Sequence, residues 1–365
     1  MAAVAEATKD NFEEVIFGDK TARWFQVAAR NGVASALERG INRILVVQPT
    51  GTGKTVSAAI IFADERIHRA LGVKKGKKAR ILFIAHKNRL LTQAEREYAT
   101  ASNFEIILQS AFTDIPEDVE WDMCCIDEAH HEAMSSIQYQ LEQLGDKPII
   151  GLTATPDRAD GCLIKFEAII EPISREEAVA QGMLAETELN TFIGSADRNK
   201  VPMLKRMIEA YGDEMGQTMV FVRTKAEVRE LTDWINEEAG YDAVSILDQS
   251  DKVCNQLIDD FGDGEFQFIV NCNKINEGVD VKGCTDVLLG RTFGSYPQLN
   301  QVIGRAARPD CECRVWEIVN PLSGRNLDTT VVVGTPAKHR LISTKGGEFV
   351  EHTFEVVTRM DPFAA

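Results

Sequence analysis

The sequence predicts an α/β protein: two tandem domains, each a parallel sheet with helices on both faces. Three observations predict it. Short apolar, β-branched runs alternate with helix-compatible stretches from about residue 40 to 155, and the same alternation restarts near residue 219. The segment from Glu171 to Glu214 separates the two runs and is expected to hold the domain boundary. Helix-compatible stretches stand between successive strands, and repeated strand–helix–strand alternation implies parallel sheets covered on both faces by helices.

In the first half the strands are expected at Ile44–Gln48, Ile81–Ala85, Glu105–Leu108, Met123–Asp127 and Ile149–Thr153. In the second they are expected at Met219–Val222, Ala243–Leu247, Phe268–Asn271, Asp286–Leu289 and Val315–Val319, with helices such as Lys225–Glu238 and Asp251–Phe261 between them. The organisation read from this is a lead segment 1–20, a first domain 21–180, a second domain 181–325 and an extension 326–365. The extension carries Thr329–Val333 and Phe349–Val357 as short β-strands.

Composition excludes several classes. The 365 residues are 44% hydrophobic and 26% charged, which is too apolar for a disordered chain. No run of about 18 apolar residues occurs, so no membrane span is expected. The acidic start MAAVAEATKDNFEE has no apolar centre and does not read as a signal peptide. Eight cysteines are too sparse for a disulfide scaffold, and Cys311-x-Cys313 lacks the paired spacing of a metal site. A reducing, cytoplasmic setting is the simplest expectation. The net charge of −16 argues against coating nucleic acid by bulk electrostatics, yet residues 21–100 carry 15 Lys+Arg against 5 Asp+Glu.

The strand Ile44–Gln48 runs into Pro49, Thr50, Gly51, Thr52, Gly53, Lys54 and Thr55, and a helix-compatible stretch follows. Glycines let backbone N–H groups turn around phosphate oxygens, and the helix N-terminus adds its positive dipole end. In such a loop Lys54 holds the outer phosphates of ATP and the Thr55 hydroxyl ligates Mg²⁺. Met123–Ile126 ends in Asp127-Glu128-Ala129-His130, which puts Asp127 at a strand end to hold the same Mg²⁺ and Glu128 beside it to polarise a water.

The loop, the Asp-Glu-Ala-His run and the later Gly151-Leu152-Thr153-Ala154-Thr155-Pro156 together resemble superfamily 2 helicases. Asn273-Lys274-Ile275-Asn276-Glu277-Gly278-Val279-Asp280 resembles that family's motif V. Gln301-Val302-Ile303-Gly304-Arg305-Ala306-Ala307-Arg308 resembles its motif VI, and Arg23-Trp24-Phe25-Gln26 its adenine-recognition motif. The pattern is most similar to the branch of XPB-like translocases, phage recombination helicases and restriction-enzyme motors.

The resemblance implies two RecA-like domains with an ATP cleft between them. It implies that Arg23 and Gln26 recognise adenine, that Gly278 and Asp280 reach the nucleotide, that Arg305 and Arg308 meet the γ-phosphate, and that Gln301 lies near the γ-phosphate or the attacking water. It also implies that Thr153 and Thr155, joined by His130, couple the cleft to the nucleic-acid track.

Ligands of open α/β sheets collect beyond the carboxyl ends of the strands. Lys87, Arg89 and Gln93 follow one such end, and Gln109 with Ser110 another. In the second domain Arg223 with Thr224, Asn273 with Lys274, and Arg291 take equivalent places. All are expected to hold phosphate and sugar, which carry no sequence information. The lysine-rich Lys74–Arg80 stretch precedes its strand, at the amino edge, and is expected to be solvated surface.

The resulting expectation is an ATP-dependent DNA helicase or translocase of 3′-to-5′ polarity, acting as a monomer on single-stranded or branched DNA. It is near-minimal and typical of a phage genome, with a recombination or replication partner supplying specificity. An RNA helicase, or a DNA-stimulated ATPase that needs a partner to unwind, is the alternative. A non-enzymatic binding module would show a damaged loop or missing arginines, and none is damaged or missing here.

Overall fold

The computed structural model describes residues 9, 12–86, 88–116, 118–130, 135–155, 166–194, 199–272, 275, 281–308, 311–323 and 327–354. The chain divides into two compact units, Met1–Glu177 and Ala178–Ala365.

The first unit opens with a short antiparallel pair, β1 (Ile16–Phe17) and β2 (Lys20–Thr21), and helix α1 (Trp24–Glu38). Then follow β3 (Arg43–Val47), α2 (Lys54–Ala63), α3 (Glu65–Ala70), β4 (Ala79–Ala85), α4 (Asn88–Tyr98) and β5 (Phe104–Ser110). β6 (Met123–Asp127), α5 (Ser135–Leu144), β7 (Ile149–Thr153) and β8 (Ala168–Ile170) complete it. The sheet order is β5-β4-β6-β7-β3-β8, and every pairing is parallel. Alternate strand residues face opposite sides. Ile44 and Val46 therefore pack with α1 and α2, while Leu45 and Val47 pack on the other face with Ile137 and Leu141 of α5.

α6 (Arg175–Ala180) straddles the division between the units. Beyond it come β9 (Thr187–Ile193), α7 (Val201–Tyr211), β10 (Thr218–Phe221), α8 (Lys225–Trp234), β11 (Ala243–Ile246), α9 (Asp251–Gly262) and β12 (Phe268–Asn271). β13 (Asp286–Leu289), α10 (Tyr296–Ile303), β14 (Cys313–Val319), α11 (Thr330–Val333), β15 (Lys338–Lys345) and β16 (Glu348–Phe354) follow. Their sheet runs β11-β12-β10-β13-β14-β9-β15-β16, parallel except for the final hairpin. Both sheets match tandem RecA-like domains.

Two differences from the sequence reading stand out. The stretch expected to be a boundary contains β9, an interior strand lying between β14 and β15. Its sequence, TELNTFI, is too polar to read as a core strand. The polarity is answered by side chains from its two neighbours and the chain after β14: Asn190 accepts from Arg340, and Thr191 and Thr329 both donate to buried Glu317. Secondly, Thr329–Val333, expected as a strand, forms the single helical turn α11, while the strands of the extension are β15 and β16.

Candidate nucleotide site and strand-facing edge

Three adjacent strands of the first unit, β6, β7 and β3, end at one edge and bring the loop, Asp127-Glu128 and Thr153 together. Gly51 (φ 89°) and Gly53 (φ 85°) adopt left-handed backbone, which glycine alone takes at no steric cost. A side chain at Gly53 would also meet the Gln26 amide nitrogen at 2.9 Å. α2 begins at Lys54, so its unpaired N–H groups face the loop. Thr52 closes the turn by donating to the Pro49 carbonyl at 2.7 Å, while Thr50 keeps a buried hydroxyl without a partner. The loop is fixed from beneath by Tyr98, whose phenol donates to the Thr55 carbonyl at 3.2 Å. Burial pushes that phenol's pKa far above its ordinary value.

Lys54 Nζ lies 3.3 Å from Glu128 Oε1, a half-buried ion pair spanning the loop and the end of β6. Glu128 has a left-handed φ of 52°, alone among the described non-glycine residues, and its N–H donates to Asp127 Oδ1 at 3.0 Å. That turn aims its carboxylate at Lys54. His130, 2% exposed, places Nδ1 at 3.4 Å from Glu128 Oε2 and 3.2 Å from Thr153 Oγ1. Thr153 spends its one proton on the Thr155 carbonyl at 2.8 Å, so the imidazole must be the donor and carries its proton on Nδ1. A continuous polar path thus runs from Lys54 through Glu128, His130 and Thr153 to Thr155. Thr55 and Asp127 supply oxygen donors at the loop, the ligand type Mg²⁺ takes alongside phosphate oxygens and water.

Gln26 is buried, and its amide is tied to the protein. Oε1 accepts from the Arg23 N–H at 2.8 Å, and Nε2 donates to the carbonyls of Thr52 at 3.2 Å and Gly53 at 3.1 Å. Reading an adenine edge with both amide groups would require releasing these bonds. Arg23 is exposed at the start of α1.

Along the same edge, Gln93 is exposed on α4 and Ser110 half-exposed after β5. Lys87 lies outside the described residues, as does the side chain of Arg89. Two expected strand contacts are placed otherwise. Gln109 is 5% exposed and turns inward, its Nε2 donating to the Thr113 carbonyl at 2.7 Å. Thr224 caps α8, its hydroxyl accepting from the Glu227 N–H at 3.2 Å. Its neighbour Arg223 is exposed but paired with Glu227 at 3.3 Å.

In the second unit, Gln301 is buried on α10, with Arg305 and Arg308 half-buried in the turn that follows. Arg291 stacks its guanidinium 4.4 Å from the Phe293 ring, where burial lowers its pKa. Asn273, Lys274, Gly278 and Asp280 lie outside the described residues. Glu317, Thr191 and His339 form a polar cluster that sequence reasoning missed. Burial raises the Glu317 pKa, the two threonine hydroxyls partly opposing it, and Thr191 lies 3.0 Å from His339 Nε2. Only its scattered polar letters could have signalled it. Among the described residues no group of three or more His, Cys, Asp and Glu side chains could hold a metal ion, and no helix is long and apolar enough to cross a membrane.

Comparison with known proteins matches residues 19–113 to the family "Type III restriction enzyme, res subunit" and residues 199–310 to "Helicase conserved C-terminal domain". A type I restriction enzyme EcoAI endonuclease subunit of Escherichia coli is 25% identical, over 80% of this chain and 44% of that protein. The putative ATP-dependent helicase IRC3 of Saccharomyces cerevisiae is 23% identical, over 78% and 49%. The chain thus spans less than half the length of these two relatives. Among solved structures, the ATP-dependent Type ISP restriction-modification enzyme LlaBIII bound to DNA superposes with a TM-score of 0.67 at 13% identity, covering 90% of this chain and 32% of that one.

Proposed function

Because the chain carries a superfamily 2 helicase core, we propose that it is a nucleic-acid-stimulated ATPase that translocates along DNA. The observation that carries this reading is the polar path from Lys54 to Thr155. In it the phosphate-binding lysine touches the water-orienting carboxylate, and His130 links that carboxylate to the hydroxyls at the strand edge.

When a triphosphate enters the loop, Lys54 exchanges Glu128 for phosphate oxygens, with Thr55 and Asp127 holding Mg²⁺. Glu128 is then free to orient the attacking water, and its release from Lys54 is passed through His130 to Thr153. Arg305 and Arg308 take the charge-stabilising role on the γ-phosphate, with Gln301 beside it or the attacking water; arginines so placed are worth ~10³–10⁵ in rate. Gly278 and Asp280 serve the same nucleotide. The similarity to a type I restriction enzyme subunit supports the DNA reading.

ATP hydrolysis measured with single-stranded, duplex and forked DNA and with RNA tests this. Single-stranded or forked DNA should stimulate most. Equal stimulation by RNA would replace the DNA reading with an RNA remodeller. Lys54→Ala and Glu128→Gln should each abolish stimulated turnover, and persistent hydrolysis in either would refute the assignment of the site.

A further inference from the structure

The loop after β5 carries an exposed aromatic ring on an unusually firm mount. Phe112 is 62% exposed. Its neighbour Ala111 is 1% exposed, packs into the core beneath the sheet and donates its N–H to the Ala85 carbonyl at 3.0 Å. Two buried glutamines converge on the same turn. Gln140, 1% exposed on α5, donates to the carbonyls of Ser110 at 2.9 Å and Thr113 at 2.6 Å. Gln109 reaches Thr113 from the strand side at 2.7 Å, and the Ser110 hydroxyl accepts the Phe112 N–H at 3.3 Å. Two buried amides therefore immobilise a surface turn whose one large side chain faces water. Solvated loops do not need such a clamp, and an isolated exposed ring gains nothing from being held still.

We propose that Phe112 is a stacking platform for an unpaired base of the bound DNA strand. The inference rests on the strand-translocation reading above and adds a contact that reads the base plane instead of the phosphate. The ring lies at the carboxyl edge, where the DNA strand is expected, in the loop just beyond β5, the outermost strand of the sheet. Four inter-strand spacings of about 4.8 Å put it roughly 19 Å from β3 and the phosphate loop, so it can hold a base without touching the nucleotide. Stacking suits a chain of net charge −16, because it holds a strand without added cations.

The test is the affinity of the full chain for a single-stranded thymidine oligonucleotide and for an abasic oligonucleotide of equal length, over a range of salt. Phe112→Ala should bind the thymidine strand about tenfold more weakly. It should bind the abasic strand as wild type does, with the salt slope and strand-free ATP hydrolysis unchanged. Phe112→Trp should retain affinity, and its fluorescence should be quenched by the thymidine strand and not by the abasic one. Equal losses on both strands, or a flattened salt slope, would overturn stacking and leave Phe112 a general contact. A Phe112→Ala chain that binds both strands as wild type does, while strand-stimulated hydrolysis persists, would overturn the platform alone. Failure of wild type to bind either strand would overturn the platform together with the reading it rests on.

Discussion

Glu128 sits in a backbone conformation that costs an L-residue about 1–2 kcal/mol. The left-handed turn after β6 swings the carboxylate towards Lys54 and His130 instead of letting it follow the strand direction. Strain of this kind persists where the surroundings over-determine it, and at functional sites it is part of the device. Glu128→Gly should therefore be inactive yet melt at a higher temperature than Glu128→Ala, by the equivalent of about 1 kcal/mol, in thermal unfolding of the two variants. Equal melting temperatures would show that the turn is unstrained. This detail could not be read from the sequence. The run Asp-Glu-Ala-His singled out these carboxylates as candidates, but a φ angle is a product of packing. The same holds for side-chain amides: those of Gln26 and Gln109 donate to backbone carbonyls that no motif identifies.

At the scale of elements, the strands that bear motifs were legible because they are apolar and end in recognisable loops. β9 was not, since burying Asn190 and Thr191 becomes tolerable only when Arg340 and Glu317 arrive from strands far along the chain. His339, beside Thr191, adds a sensitivity to acid at this end of the second sheet. His339 on β15 has a lowered pKa, mainly because burial disfavours its charged form, with Asp328 opposing in part. The sign follows from linkage: the unfolded chain binds the proton more readily, so this contribution is intact above the ordinary histidine pKa and is lost as pH falls towards the depressed folded value. Thr191 has given its proton to Glu317, so neutral His339 must donate from Nε2. His339→Gln can still donate at that position without titrating. The variant should lose part of the stability difference between pH 7 and pH 5 in thermal unfolding, and an unchanged difference would exclude His339 as its source.

Across the whole molecule, charge and topology divide the labour. The acidic total sits with a positively charged stretch at 21–100, much of it in the exposed lysines Lys74, Lys75, Lys77 and Lys78. Those lysines precede β4 and so lie at the amino edge, with Gln93 and Ser110 at the opposite one. Seven strand residues separate the edges by roughly 23 Å, more than twice the ~10 Å screening length at 0.1 M salt. Replacing all four lysines with serine should leave single-strand affinity within about twofold at that salt, whereas a large loss would place the strand on the amino edge. The sequence order of strands predicted the parallel α/β class in both halves, because alternation is a local signal. Which strand lies beside which is a global property, and the place of β9 between β14 and β15 shows how far the two can diverge.

The position of β3 carries a further consequence, for how the protein is made. The strand that delivers the phosphate loop pairs only with β7 and β8, both encoded much later. As the chain leaves the ribosome, β3 exposes an apolar strand with both edges open until Ile149–Thr153 and then Ala168–Ile170 emerge. At about 5–20 residues per second this window lasts roughly 5–25 s. During it the nascent loop has no rigid strand behind it, and the open edges are a template for mispairing. A fragment that stops before β7 would keep every letter of the phosphate-binding motif and lack the strand partners that hold it in place.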